Sequence, residues 1–159
     1  MKKFAHYKQA DNKDCGPTCL KIIAKYYGKT INIQELRNIS ETTREGSNLL
    51  FLSDAAEKIG FRTLGVKLSV KRIEEAPLPC ILHWNDNHYV VLYKIKKGKY
   101  YISDPAFGLL EYSKDEFVKF WIGNNAHDEI KEGIALLIEP TPKFFQSNFD
   151  KEEDSGLGF

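Results

Sequence analysis

The chain has 159 residues, a net charge of +1 and 42% hydrophobic residues, which suits one globular domain with a real core. So neutral a balance gives no electrostatic reason to expect a nucleic acid or a strongly charged membrane surface as partner. No apolar run is long enough to span a bilayer, and the opening MKKFAHYKQADNKD lacks the apolar stretch of a secretory signal, so a soluble domain in the cytosol is expected.

In chain order, the first half reads as helices. Asp14 stands at an N-cap position with Pro17 in the first turn, where proline is tolerated. Leu20, Ile22, Ile23, Tyr26 and Tyr27 recur at helical spacing, and Gly28 ends the run. Asn32 with Glu35 is a capping-box pattern that opens a short helix through Ile39. A third helix is expected from Ser47 through Leu49, Leu50, Leu52, Ala55, Ala56 and Ile59 to Gly60.

The second half reads as strands: Phe61 to Leu68, Cys80 to Trp84, His88 to Ile95, Tyr100 to Ser103 and Gly133 to Glu139. Lys97-Gly98 between the third and fourth of these predicts a hairpin turn. Ser113 with Glu116 caps one more helix, which carries Phe117, Phe120 and Trp121. Helices first and an antiparallel sheet second make an α+β fold. The end of the chain, with its prolines, acidic cluster and Gly/Ser finish, reads as a linker or disordered tail over residues 143–159, leaving residues 1–142 as the domain.

Three cysteines, Cys15, Cys19 and Cys80, have no disulfide-framework spacing and suit a reducing compartment. Cys15 lies at the predicted start of the first helix, where the helix dipole favours a thiolate, and Gly16 leaves the neighbouring backbone open to a substrate. The competing reading is a small buried hydrophobe. Cys15 and Cys19 share a helical face, but the further ligands of a closed zinc site are missing, so no metal or other cofactor is expected and Cys19 is assigned to the core.

A cysteine nucleophile needs a base, and the base needs an orienting group. His6 and His127 are expected at the surface and His83 in the core, whereas His88 opens a strand and is held by a rigid support. If Lys97-Gly98 is the turn, Asp104 ends the strand beside it and reaches the His88 ring; simple Asp-Pro turn chemistry is the alternative. The Cys15 N–H and the side-chain amide of Gln9 are candidate donors to an oxyanion, although an upstream Gln alone is weak evidence.

Gln9, the run from Asp14 to Leu20 (DCGPTCL), the run from His88 to Leu92 (HYVVL) and the run from Asp104 to Gly108 (DPAFG) together resemble the bacteriocin-processing cysteine peptidase domain of peptidase-containing ABC transporters. Gly46-Ser47-Asn48-Leu49 and the stretch from Glu116 to Gly123 extend the resemblance, which runs from about Phe4 to Pro142. It implies a papain-like fold and a Cys15–His88–Asp104 triad with Gln9 at the oxyanion hole. It also implies cleavage of a precursor peptide after a double-glycine-type leader, coupled to export. Transmembrane and ATPase domains would accompany such a domain in the full-length protein, which would place it on the cytoplasmic side of the bacterial plasma membrane. Two other readings stay open: a non-catalytic module that docks the leader, and a papain-like thiol hydrolase of different specificity.

Overall fold

Alternating apolar residues in the second half of the chain pair into one antiparallel sheet. The computed structural model describes residues 3–11, 13–40, 48–85, 87–123 and 131–146. Its strands are β1 (Phe61–Leu68), β2 (Cys80–Trp84), β3 (His88–Lys96), β4 (Lys99–Asp104), β5 (Gly108–Ser113) and β6 (Gly133–Pro140). They lie in the order β1-β6-β2-β3-β4-β5. The expected hairpin forms: Lys96 pairs with Lys99, and Lys97 and Gly98 take positive φ of 52° and 74°, the pattern of a two-residue hairpin turn.

Three helices cover one face of the sheet. They are α1 (Cys15–Tyr26), α2 (Ile33–Ile39) and α3 (Leu49–Lys58). Leu20, Ile22 and Ile23 of α1 pack with Leu36, Leu52 and Ala56 against Ile81, Tyr89, Val91 and Ile138 of the sheet. Each such fully buried aliphatic side chain contributes about 1.5–3 kcal/mol. On the opposite face Phe117 and Trp121 of α5 (Lys114–Trp121) cover a second cluster with Leu82, Trp84, Val90 and Tyr100. The Ser113–Glu116 capping box that opens α5 is present, as the sequence predicts.

Three features differ from the sequence reading. A short helix, α4 (Val70–Ile73), and the edge strand β5 were not anticipated; among the described residues β5 pairs with β4 alone, and it has a half-exposed, weakly apolar pattern. The domain does not stop at residue 142, because α6 (Pro142–Gln146) follows β6 directly and buries Phe144 completely against Tyr27 and Phe61. Lys29 donates to the Phe144 carbonyl and sits over its ring, which ties α6 to the end of α1. The remainder of the expected tail, residues 147–159, lies outside the described residues, as do His127 and Ser47; α3 is capped by Asn48, which accepts from the Phe51 N–H.

Candidate active site

The head of α1 meets the open end of the β3–β4 hairpin. Cys15 is the first residue of α1 and is 4% exposed, so the thiol lies under cover. His88 is the first residue of β3 and Asp104 the last of β4, which puts both at one edge of the hairpin. On one side the Cys15 thiol is near enough to the His88 ring to favour its charged form. On the other, His88 Nε2 donates to Asp104 Oδ1 at 2.7 Å. With Nε2 committed to the carboxylate, Nδ1 is the ring nitrogen left for sulfur.

Asp104 makes both of the contacts set out for it, the one to His88 and the one within its own Asp-Pro turn. Its Oδ1 also accepts the Ala106 N–H at 2.8 Å, so the Asp-Pro turn and the contact to His88 use the same oxygen. The carboxylate is 2% exposed. Burial works against a charged His88 ring, but the hydrogen bond to Asp104 and the influence of Asp104 and Cys15 outweigh it, and the imidazole is pushed up to about 9.

The segment before α1 is strapped along the β4–β5 turn. Ser103 Oγ donates to the Ala5 carbonyl at 3.0 Å, and the Gln9 N–H donates to the Pro105 carbonyl at 2.8 Å. His6 Nε2 donates to the Asp104 carbonyl at 2.9 Å. His6 is therefore not the idle surface residue expected from its place near the start of the chain; it braces the main chain of Asp104. These bonds bring Gln9 to the same edge as the other three residues. Gln9 Nε2 donates to the Asp11 carbonyl at 2.8 Å, which fixes the amide's orientation, and Oε1 is buried with no partner among the described residues.

The other thiols are of a different kind. Cys19 is fully buried one turn below Cys15, and burial, then the charges of Cys15 and Asp104, push its thiol far up. Burial alone pushes Cys80 up to about 12. His83 is half-buried with its ring against Tyr89. Among the described residues no group of three or more His, Cys, Asp or Glu converges as a metal site would require. Convergence of side chains, not cavity size, locates the site: a cleft of about 480 Å³ lined by His83, Asn85, Trp121 and Glu132 includes none of Gln9, Cys15, His88 or Asp104.

One contact at the site carried no signal in the sequence reading. Arg37 of α2 grips the carboxylate of Asp14, the residue before Cys15, through Nε to Oδ1 at 2.9 Å and Nη2 to Oδ2 at 2.5 Å. The spacing of 23 residues between them follows no local rule, so only the packing of α2 on α1 reveals it.

Comparison with known proteins gives the chain's family. The profile of the Peptidase C39 family matches residues 3–127. The lactococcin-G-processing and transport ATP-binding protein LagD of Lactococcus lactis subsp. lactis is 39% identical over 149 residues, covering 90% of this chain and 19% of that protein. The colicin V secretion/processing ATP-binding protein CvaB of Escherichia coli is 32% identical over 136 residues, covering 86% of this chain and 18% of that protein. The chain thus spans about a fifth of the length of these relatives. Among solved structures, a double glycine motif protease from an AMS/PCAT transporter in complex with the leader peptide superposes with a TM-score of 0.78 at 31% identity, over 87% of this chain and 93% of that one. The peptidase domain of Streptococcus ComA, described as a bi-functional ABC transporter involved in a quorum sensing pathway, gives 0.76 at 28% identity, over 87% of this chain and 100% of that one.

Proposed function

The chain belongs to the peptidase C39 family, and on that premise we propose that it is a leader peptidase whose nucleophile is Cys15, with His88 as base, Asp104 as its orienting group and Gln9 as an oxyanion donor. The observation that carries this reading is the 2.7 Å contact of the His88 ring with the buried Asp104 carboxylate, on a ring whose charged form the Cys15 thiol also favours.

The proposed mechanism follows from the positions of these groups. His88 accepts the Cys15 proton at Nδ1, and Asp104 stabilises the resulting imidazolium through Nε2. The thiolate attacks the carbonyl carbon of the last leader residue. The Cys15 N–H, which heads α1, and the second N–H of the Gln9 amide stabilise the oxyanion. As the tetrahedral intermediate collapses, His88 returns its proton to the amine of the departing cargo. Water, deprotonated by the same ring, then releases the leader acid from sulfur and restores the thiol.

The substrate proposed is a precursor peptide with a double-glycine-type leader, supported by the likeness to a double glycine motif protease bound to its leader peptide. The cover over Cys15 supports it as well, since residues without side chains reach a shielded thiol most easily. Because the matched relatives are processing and transport ATP-binding proteins several times longer than this chain, we further propose that cleavage is coupled to export by an ABC transporter, with this domain on its cytoplasmic side. No helix among the described residues is long and apolar enough to cross a membrane.

The test is incubation of the purified chain, under reducing conditions, with synthetic precursor peptides carrying Gly-Gly before the cargo, with mass spectrometry of the products. Cleavage after the second glycine, lost in Cys15→Ala with folding unchanged by circular dichroism, is expected. Undiminished cleavage by that variant would sink the assignment of Cys15. Binding without turnover would instead favour the docking module, and cuts elsewhere in the peptide would favour a hydrolase of other specificity.

A further inference from the structure

Four helices open alike. Asn32, Asn48, Ser69 and Ser113 are extended, with ψ between 132° and 170°, and each side chain accepts a main-chain N–H of the first turn. Asp14, at the head of α1, departs on both counts: it sits at φ −94°, ψ 4°, and its side chain caps nothing. Aspartate is among the strongest N-caps, and its ordinary acceptor role is toward the N–H two or three residues on. Pro17 has no N–H, so for Asp14 that role falls on Gly16.

Arg37 takes the carboxylate instead, with one guanidinium nitrogen on each oxygen. The fork is well seated. The Asp14 side chain is 3% exposed, and Arg37 Nη1 is itself anchored on Gln34 Oε1 at 3.1 Å. Neither the Cys15 nor the Gly16 amide has an acceptor among the described residues.

We propose that Arg37 is a positioning residue of this site: by holding the Asp14 carboxylate away from the head of α1, it keeps the Cys15 and Gly16 amides free for a substrate oxyanion. The inference rests on Cys15 being the nucleophile. Without the guanidinium, a buried carboxylate has no partner, and the strongest donors near it are those amides. Moving there restores ordinary N-cap geometry, occupies the Gly16 donor and sets a negative charge where the oxyanion must form.

The experiment compares Arg37→Met, Asp14→Ala and the double variant on a synthetic double-glycine precursor peptide. Arg37→Met is expected to lose kcat by about 10²-fold with KM nearly unchanged, the scale of losing one oxyanion donor. Asp14→Ala and the double variant, which have no carboxylate to misplace, are expected to keep at least tenfold more of kcat than Arg37→Met. Equal losses in all three, or a loss confined to KM, would mean that the ion pair only braces α2 on α1 and would overturn the proposal.

A second readout needs no turnover. Amide hydrogen exchange of Gly16, followed by NMR, is expected to slow in Arg37→Met and to return to the wild-type rate in the double variant; an unchanged Gly16 amide in Arg37→Met overturns the proposal. If the wild-type chain cleaves no such peptide, the functional reading fails on its own, and the exchange rates still decide the role of Arg37. Should Arg37→Met not fold, Arg37→Lys, which keeps the charge but not the fork, is expected to give a smaller kcat loss, again relieved by Asp14→Ala.

Discussion

His88 Nε2 lies 2.7 Å from Asp104 Oδ1, and the carboxylate that accepts this bond is almost entirely withdrawn from water. The two residues open one strand and close the next, so the hairpin itself holds base and orienting group together. A buried carboxylate in contact with an imidazole favours the charged ring over the neutral one.

The first prediction concerns pH. With His88 pushed up to about 9, from an ordinary value of 6.5, the ring stays protonated through neutral pH. The contribution of the His88–Asp104 contact to stability is then fully present below about 6.5 and is lost as pH rises through about 9. Catalysis through a thiolate–imidazolium pair fails on the same limb, so kcat/KM on a precursor peptide is expected to decline across that range. In Asp104→Asn the declining limb is expected to move down toward 6.5, and kcat to drop by on the order of 10²–10⁴-fold. A limb unmoved by the substitution would show that another group sets it.

The second prediction separates the possible roles of Gln9. One N–H of its amide is committed to the Asp11 carbonyl, which leaves the other as the candidate donor to a substrate oxygen. If that donor serves the oxyanion, Gln9→Ala lowers kcat by about 10²–10³-fold and leaves KM nearly unchanged. Steady-state kinetics on one peptide distinguishes this from a role in ground-state binding, in which KM alone would rise.

Much of the site was legible because its partners are local in sequence or fixed by a turn. Lys97-Gly98 announces the hairpin, and the hairpin brings His88 to Asp104; Cys15 stands at the expected helix start, which alone left a small buried hydrophobe as the alternative. The bulge between Leu92 and Lys94, which shifts the β3–β4 register between His88 and the Lys97-Gly98 turn, leaves no mark in the alternation pattern. What stayed hidden is long-range. The bonds from His6 and Gln9 to the Asp104–Pro105 turn, the fork from Arg37 to Asp14, and the pairing of β1 with β6 all depend on tertiary packing. The α6 boundary was misplaced because a Pro- and charge-rich composition dominates that window, while one aromatic, Phe144, decides where the core ends.

A third prediction tests the packing beneath α5. A Cβ on Gly133 would lie 2.2 Å from Cε2 of Trp121, whose indole N–H donates to the Ile134 carbonyl at 3.0 Å. The ring is held by that bond and by Phe117, so it cannot simply step aside. Gly133→Ala is therefore expected to cost about 1–3 kcal/mol or more in urea denaturation, with a change in Trp121 fluorescence. A variant as stable as wild type would mean that the indole moves freely and that α5 is loosely seated.

The last prediction concerns where the domain ends. Phe144 packs on Phe61 with ring centroids 4.5 Å apart, and Thr141 binds the Gly60 carbonyl through both its N–H and its hydroxyl. These contacts make α6 part of the core beneath α1 and α3, not the start of a linker. Phe144→Ala should then lower stability by about 3–5 kcal/mol, the usual cost of emptying a buried phenylalanine site. Truncation after residue 141 should do at least as much damage, since it also removes the partner of Lys29. Urea denaturation of the two variants beside wild type is the measurement, and a truncated chain that unfolds at the wild-type midpoint would return the boundary to Pro142.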